Sequence, residues 1–292
     1  MVVDAANPVY DSREDCNAII HTSTNKLVAG CKNSQIPNSV TSLGNYCFDG
    51  CSGLTSITIP NSVTSLGERC FYGCSSLTSI TIPNSVKSLG DLCFWGCSSL
   101  TAITIPNSVT SLGENCFSYC SSLTSIIISN SVTSLGNYCF SGCSSLTSIT
   151  IPNFVTTLGE GCFAYCSSLT SITIPNSVTS LGDNCFWGCS NLTAIYMLPS
   201  TPPSTGSDIF YNTPLETVYV VDEDAKTAYQ AQEPWYRYEI VVMPTGIEEV
   251  ETDKTAPTIV GYYDLNGKLI SGKQRGAVIV RYSDGTTRKV LK

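Results

Sequence analysis

Hydrophobic and polar positions along most of this chain follow one pattern that returns every 23 residues. The pattern Leu-Gly-x-x-Cys-Phe-x-x-Cys-Ser-x-Leu-Thr-x-Ile occurs seven times. A fixed period of this length indicates a solenoid, in which each unit buries its apolar edge only by stacking on its neighbours. The copies begin at Leu43, Leu66, Leu89, Leu112, Leu135, Leu158 and Leu181.

Within one copy, a short strand is predicted where apolar and polar residues alternate. Leu54, Ile57 and Ile59 have the Leu-x-x-Leu-x-Leu spacing of a leucine-rich repeat. Ser56 and Thr58 alternate with the isoleucines, so the apolar side chains face inward and the polar ones outward.

Two further segments complete the predicted unit. Val40 and Leu43 belong to a second extended piece, which ends in a backbone bend at Gly44. Cys47, Cys51 and Leu54 are spaced as on one face of a short helical turn. The expected fold is therefore a leucine-rich-repeat solenoid of short strands and short helical turns.

The outward positions of the predicted strands are mostly Ser and Thr, which makes that surface polar, flat and nearly uniform. One row contains Ser56, Ser79, Ala102, Ser125, Ser148, Ser171 and Ala194, and the next contains Thr58, Thr81, Thr104, Ile127, Thr150, Thr173 and Tyr196.

The chain divides into four predicted regions. Residues 1–35 form an N-terminal capping hairpin, and residues 36–196 form the seven repeats. Residues 197–243 form a degenerate repeat and a C-terminal cap, and residues 244–292 form a linker and a small all-β module.

Local signals refine the last two regions. Acidic residues in the first turn predict a helix from Asp222 to Ala231, and a closing strand is expected from Trp235 to Val242. A polar linker is expected at residues 244–258. Asn266-Gly267 and Asp284-Gly285 then predict two hairpins.

The signatures Ile-Pro-Asn-Ser-Val-Thr-Ser-Leu-Gly and Cys-Phe-x-Gly-Cys, across residues 36–196, resemble the BspA-like leucine-rich repeats of bacterial surface proteins, particularly those of Bacteroides-type anaerobes. Residues 7–20 resemble the family's N-terminal cap, and the C-terminal hairpins resemble terminal modules of secreted Bacteroides-type proteins. The first Cys of each copy is commonly Ala in the family. The resemblance implies a secreted or cell-surface protein.

Composition excludes several partners. The formal net charge is -8, and residues 36–196 contain only Arg69 and Lys87 against six acids, so nucleic acid is not expected as a partner. No stretch approaches the roughly 20 apolar residues of a transmembrane segment. The first residues, Met1 to Asp4, lack the basic and apolar regions of a signal peptide.

The sixteen cysteines admit three interpretations: buried thiols, disulfides and metal ligands. Cys-x-x-x-Cys is not the Cys-x-x-Cys of common zinc sites, so no metal is expected. Buried thiols, stacked as small hydrophobes in core ladders, are the favoured interpretation for the repeats. Disulfides remain an alternative there, and Cys16 and Cys31 are the better candidates for a bridge.

No catalytic residue and no cofactor are expected. His21 is the sole histidine and shares the predicted hairpin with Cys16 and Cys31, but nothing supplies an orienting group or an oxyanion site. The carboxylates at 222–224 fit a helix start, with weak calcium binding as an alternative.

The two positions after each Cys-Phe vary between copies and are expected to point outward. The first reads Asp49, Tyr72, Trp95, Ser118, Ser141, Ala164 and Trp187. Exposed aromatic rings suit sugar stacking or protein contact, although rings lying flat on the neighbouring repeat are the simpler interpretation. The candidate binding residues are Tyr72, Trp95, Tyr119, Tyr165 and Trp187.

Two functions from different classes follow. The first is an adhesion scaffold: the resemblance implies host matrix proteins, cell-surface proteins or glycans as ligands, and solenoids offer extended binding surfaces. The second is a passive spacer or surface-layer element, which the uniform Ser/Thr rows favour. An enzyme is a distant third.

Overall fold

The computed structural model describes residues 1–244 and four strands of the C-terminal region. The chain divides into two compact units, Met1–Val241 and Val242–Lys292. Residues 245–258, which include nearly all of the predicted linker, lie outside the described residues, as do the predicted hairpin dipeptides Asn266-Gly267 and Asp284-Gly285. The first unit is a solenoid, and its successive repeats are joined by three ladders of hydrogen bonds.

The first ladder, here called the leucine ladder, pairs the Ser-Leu segments of consecutive repeats in parallel. Leu66 pairs with Leu43 and Leu89, and single bridges at Leu112 continue the ladder to Leu135. These are the second extended pieces predicted from the sequence. Its strands in the repeats and the C-terminal cap are Ser42–Leu43, Ser65–Leu66, Ser88–Leu89, Ser134–Leu135, Thr157–Leu158, Ser180–Leu181 and Ser204–Thr205.

The second ladder, the isoleucine ladder, contains the four-residue strands. In the Ala102–Ile105 strand the residues alternate between exposed and buried, as the period of two predicts. The repeats around Ile57 and Ile80 lack a regular strand here, and Thr150 forms a single bridge to Thr173. The strands are Ala102–Ile105, Ser125–Ile128, Ser171–Ile174, Ala194–Met197, Thr217–Val220 and Glu239–Val242.

The third ladder, the turn ladder, is built from the Cys-Phe-x-x-Cys segments. Its backbone differs from the short helical turn expected there, because consecutive tight turns replace it: Cys51 N–H donates to Phe48 O at 3.1 Å. Phe48 N–H instead donates to Cys70 O of the next repeat, at 2.9 Å. Positive φ angles at Tyr46 and Gly50 interrupt any helix, since left-handed residues do not propagate one.

Phenylalanine rings stack along the whole solenoid. Phe48 and Phe71 have ring centroids 5.3 Å apart and planes within 7°, and the same arrangement recurs to Phe186 and Phe210. Each of the seven rings in the repeats is fully buried beside the cysteines. The core is therefore continuous from one repeat to the next, and no repeat has a core of its own.

Every second repeat adds a side-chain link between neighbours. The residue after each Leu-Gly alternates between a short side chain and glutamate: Asn45, Glu68, Asp91, Glu114, Asn137, Glu160, Asp183. Only the short ones reach the next backbone; Asp91 Oδ1 accepts from Glu114 N–H and Asn137 Oδ1 from Glu160 N–H, both at 2.9 Å. The hydrogen-bonding period is thus two repeats.

The N-terminal cap contains the predicted hairpin. Ile19–His21 pairs antiparallel with Lys26–Ala29, which continues in parallel into the leucine ladder. Tyr10–Asp11 pairs on the other side of the hairpin, and a short 3-10 helix lies at Arg13–Asp15. An ion pair of 2.5 Å joins Asp11 to Arg13, and this hydrogen-bonded contact lowers the pKa of Asp11 to about 2.

The C-terminal cap contains the predicted helix, at Glu223–Gln230. Asp222 is its N-cap, with the side chain accepting from Ala225 N–H at 2.8 Å. The expected strand from Trp235 to Val242 is shorter than predicted: Trp235–Arg237 is a 3-10 helix and only Glu239–Val242 is a strand. Trp235 is buried and packs edge-on against Phe210, so its ring covers the end of the phenylalanine stack.

The second unit contains a four-stranded antiparallel sheet. Its strands are Ile259–Tyr263, Leu269–Ile270, Ala277–Tyr282 and Thr287–Leu291. The pairing of the first two strands and of the last two agrees with the two hairpins expected from the sequence.

Candidate functional site

The exposed side of the isoleucine ladder is as uniform as its sequence suggests, with two exceptions. Ile127 takes the place of a threonine and is 66% exposed. Tyr196 stacks on Tyr219 with ring centroids 4.8 Å apart. Nearby threonine hydroxyls bond to the preceding repeat, as Thr124 does to Thr101 O at 3.1 Å, so fewer of their donors remain for a ligand.

The turn ladder presents a different surface, on which aromatic rings lie in contact. Tyr72 and Trp95 stack with centroids 4.4 Å apart and planes within 6°. Tyr119 meets Trp95 edge-on at 5.2 Å and is 52% exposed. The structure thus unites three of the five predicted binding residues in one group, here called the N-terminal cluster.

A cation from the protein itself occupies this cluster. The guanidinium carbon of Arg69 lies 4.3 Å from the centroid of the Tyr72 ring and 5.7 Å from that of Tyr46. This is the geometry of a cation–π contact. Tyr46 also donates its hydroxyl to Glu68 at 3.0 Å, so a carboxylate lies beside the same rings.

The two remaining predicted residues lie in a second group, the C-terminal cluster. Trp187 and Tyr211 have ring centroids 4.8 Å apart. Tyr165 lies against the backbone of Gly188, directly after Trp187: a Cβ placed on Gly188 would come within 2.8 Å of the Tyr165 ring. Tyr165 and Tyr211 are 53% and 52% exposed, while Trp187 is half-buried.

The expectation that every position after Cys-Phe points outward is wrong for three repeats. Ser118, Ser141 and Ala164 are buried. The Ser118 hydroxyl donates to the main-chain oxygen of Tyr138, and the rings of Tyr119 and Tyr138 lie across the adjoining glycine backbones. Large neighbouring rings therefore cover the small side chains, which separates the two clusters along the turn ladder.

A row of carboxylates accompanies the aromatic rings at the start of the turn segment in five of the seven repeats. Tyr138 donates its hydroxyl to Glu160, and that hydrogen bond raises the pKa of Tyr138 to about 12. Between Lys87 and Lys226 the sequence has nine acidic residues and no basic one. The row contains Glu68, Asp91, Glu114, Glu160 and Asp183, and it makes this side of the solenoid anionic.

The cysteines occupy two buried columns, as the thiol-ladder interpretation predicted. All sixteen stand as free thiols, and fourteen of them are buried. Burial raises the pKa of Cys74 and of Cys189 to about 12, so these sulfurs stay protonated at neutral pH. In the N-terminal cap, Cys16 Sγ bonds to Ala18 O at 3.5 Å, and it is not bridged to Cys31.

Metal binding and catalysis, the minor alternatives considered from the sequence, have no cluster of suitable side chains in the part of the chain that the structure describes. No three His, Cys, Asp or Glu side chains there converge as metal ligands. The His21 ring packs edge-on against Tyr10 at 5.5 Å. No helix among these residues is long and apolar enough to cross a membrane.

Two residues of the clusters were missed at the level of sequence. In the sequence Arg69 contributes only to the charge balance, and Tyr211 lies in the degenerate repeat. A signal existed for Tyr211, because Ile209-Phe210 takes the place of Cys-Phe one repeat after Cys185-Phe186. Phe186 N–H bonds to Ile209 O at 2.9 Å, which places the degenerate segment in register with the turn ladder.

Comparison with known proteins agrees with this architecture. Residues 26–126 and 110–231 match the BspA type leucine rich repeat region, in six copies. No curated protein matches the chain.

Solved structures provide further similarity. A leucine-rich repeat protein from Bacteroides ovatus ATCC 8483 is 26% identical, with a TM-score of 0.57 over 83% of this chain and 76% of that one. The leucine-rich repeat protein of T. pallidum is 28% identical, with a TM-score of 0.52 over 66% of this chain and 91% of its own.

A protein of Faecalibacterium prausnitzii A2-165, described as a leucine-rich cell surface protein, is 21% identical, with a TM-score of 0.35 over 84% of this chain and 95% of that one. The repeat-family match alone covers more than half of this chain. The chain therefore belongs to the BspA-type leucine-rich repeat family.

Proposed function

We propose that this protein is a secreted or cell-surface adhesion scaffold without catalytic activity, whose ligands are host matrix proteins, host cell-surface proteins or glycans. Membership of a repeat family of surface proteins supports an interaction scaffold. The contiguous rings of Tyr72, Trp95 and Tyr119 support a specific binding surface, since Trp and Tyr dominate the energetics of binding sites.

The observation that carries the proposal is that these rings lie in contact with one another and remain partly exposed. A ring that served only the core would be buried, as the seven stacked phenylalanines of the repeats are. Tyr119 and Tyr165 retain about half of their surface in solvent, although each lies over a neighbouring repeat. Such amphipathic rings are suited to sugar faces and to apolar protein patches.

Binding to immobilised matrix proteins and glycans tests the proposal. The intact chain is compared with a Trp95→Ala, Trp187→Ala double variant, and an Ile127→Thr variant serves as the control on the isoleucine ladder. We expect at least one specific ligand, weakened about tenfold or more by the double change and unaffected by the control. A folded protein that binds nothing on a broad panel would contradict adhesion and favour a passive spacer.

A further inference from the structure

The two aromatic clusters differ in one respect that bears on the ligand. In the N-terminal cluster Arg69 occupies the position three residues before Tyr72, and its guanidinium covers that ring at 4.3 Å. In the C-terminal cluster the corresponding positions before Trp187 and Tyr211 are Asn184 and Asp208. One cluster therefore contains its own cation, and the other has rings that no cation of the described residues covers.

The backbone is equivalent at the two places, so the comparison is direct. Arg69 and Asp208 both have a φ of 52°. Tyr72 N–H donates to Arg69 O at 3.2 Å, and Tyr211 N–H donates to Asp208 O at 3.0 Å, which closes the same tight turn. The side chain at position 208 thus starts from the same place as that of Arg69 but ends in a carboxylate.

Charge around the C-terminal cluster favours a cation. Asp208 and Asp183 are both exposed. They are also close, because Asp183 Oδ1 accepts from the N–H of Ser207 at 2.6 Å and from its hydroxyl at 3.0 Å. Residues 88–225 contain no Lys or Arg, and in the adjoining cap Arg237 is paired with Glu233.

We propose that the C-terminal cluster, with the rings of Tyr165, Trp187 and Tyr211 and the carboxylates of Asp183 and Asp208, binds an arginine side chain of a basic polypeptide partner. The guanidinium stacks on the Trp187–Tyr211 surface, as Arg69 does on Tyr72, and Asp208 accepts its hydrogen bonds. Arginine is preferred to lysine because its planar group combines ring stacking with bidentate contact to carboxylate.

The inference rests on the proposed function and narrows it to partner proteins with exposed arginines. The probe is a fluorescein-labelled nona-arginine peptide, compared with nona-lysine and nona-citrulline peptides by fluorescence anisotropy on the full chain. Citrulline retains the shape of arginine without its charge. We expect binding in the order arginine, lysine, citrulline, and a Trp187→Ala change weakens the arginine peptide about tenfold.

Matched variants distinguish binding of the peptide at the C-terminal cluster from non-specific electrostatic attraction of the peptide to an acidic protein. Phe154→Ala removes an exposed aromatic ring that belongs to neither cluster, and it changes affinity less than about twofold. Asp208→Arg places a guanidinium three residues before Tyr211, as Arg69 lies three residues before Tyr72. The new guanidinium covers the ring in place of the peptide arginine, so this variant abolishes binding. Glu216→Arg makes the same charge change on an exposed residue outside the cluster, and it weakens binding only modestly.

Three results would overturn the inference: equal binding of the citrulline peptide, unchanged affinity in Trp187→Ala, or equal losses in Asp208→Arg and Glu216→Arg. Different results would contradict the adhesion proposal, so the two proposals can be tested independently. A matrix protein or glycan that binds through Trp95 and Trp187 while the arginine peptide does not bind would contradict only the arginine site. Arginine binding with no ligand on the wider panel would contradict only the assignment to matrix proteins and glycans.

Discussion

Cys120 Sγ donates a hydrogen bond to the main-chain oxygen of Phe94, 26 residues earlier, at 3.2 Å. The same bond joins neighbouring repeats at Cys74, Cys97, Cys143, Cys166 and Cys189. In the degenerate repeat, Thr213 takes the place of the cysteine, and its hydroxyl donates to Phe186 O at 2.7 Å. The second cysteine of each repeat thus acts as a buried donor as well as a small apolar side chain.

The two cysteine columns should therefore respond differently to serine. In Cys120→Ser the hydroxyl can donate to the same acceptor, Phe94 O. This substitution should therefore change the free energy of unfolding by less than about 1 kcal/mol. Cys116 is equally buried but has no such acceptor among the described residues. Cys116→Ser leaves an unsatisfied buried hydroxyl and should cost about 1 to 3 kcal/mol.

Urea unfolding followed by circular dichroism measures this difference, with Cys120→Ala and Cys116→Ala as references for the lost sulfur volume. Equal losses for the two serine variants would show that the thiol hydrogen bond contributes nothing.

Alkaline pH should unfold the protein steeply. Burial raises the pKa of most repeat thiols, as for Cys120 and Cys143, above the value they have in the unfolded chain. A group whose pKa is raised by folding contributes its full stability below its unfolded pKa, near 8.5, and loses it as pH rises. Each such thiol then removes about 1.4 kcal/mol per pH unit.

Urea midpoints between pH 7 and 10, under reducing conditions, measure this dependence. A Cys143→Thr, Cys166→Thr double variant copies the natural Thr213 and removes two titrating groups. Its apparent free energy of unfolding should fall less steeply above pH 9, by about 2.7 kcal/mol per pH unit. Identical slopes for the two proteins would contradict the assignment to thiols.

The fold was predictable because the same pattern of apolar and polar positions recurs in every repeat. The period of two around Ile103 correctly gave the inward face of a strand, and the stacked core followed from the 23-residue period. The turn segment was harder. Cys47 and Cys51 do face the core, but helical spacing cannot reveal that the N–H groups between them bond to the next repeat and that residues such as Tyr46 adopt positive φ.

The candidate site was predictable only as a set of residue types. Sequence spacing identified Trp95 and Trp187 as outward positions, but it does not state which rings meet. The grouping depends on neighbours in adjacent repeats: Tyr119 contacts Trp95, while Ser141 is buried and the Tyr119 ring lies across the adjoining Gly142. These are contacts between residues one repeat apart, and a pattern within one repeat does not contain them.

The glycine after the leucine that begins each repeat should be required for close stacking of the repeats. A Cβ on Gly90 would lie 2.5 Å from Glu68 N and from Gly67 C, both main-chain atoms of the preceding repeat. Because backbone cannot rotate away, Gly90→Ala should cost about 3 kcal/mol or more. Gly50 offers a matched control: its φ is +69° and a Cβ there meets nothing within 4 Å, so Gly50→Ala should cost only about 1 to 2 kcal/mol.

Thermal unfolding of both variants measures the two costs. A larger loss at Gly50 than at Gly90 would mean that backbone conformation, and not repeat spacing, sets the need for glycine.

Cys31 should be the one cysteine that reacts readily with a thiol reagent in the folded protein. Partial burial acts to raise its pKa, but hydrogen bonds from Asn33 N–H and the Ser34 hydroxyl outweigh it and lower the pKa below the ordinary cysteine value. Cys31 is also partly exposed; Cys51 is partly exposed too, but burial raises its pKa, and Cys16 is buried with a raised pKa. Thiolate fraction and access both favour Cys31, since the thiolate is the reacting form.

Stopped-flow reaction with a disulfide reagent at pH 7 should show a single fast thiol, with the remainder following only as the chain unfolds. Cys31→Ser should abolish the fast phase, and Cys16→Ser should leave it intact.

In denaturant without reductant, most of the sixteen cysteines should titrate as free thiols. Fewer than about four would overturn the buried-thiol account, because it would mean that cysteines of neighbouring repeats, such as Cys47 and Cys70 with sulfurs 3.3 Å apart, had formed disulfides.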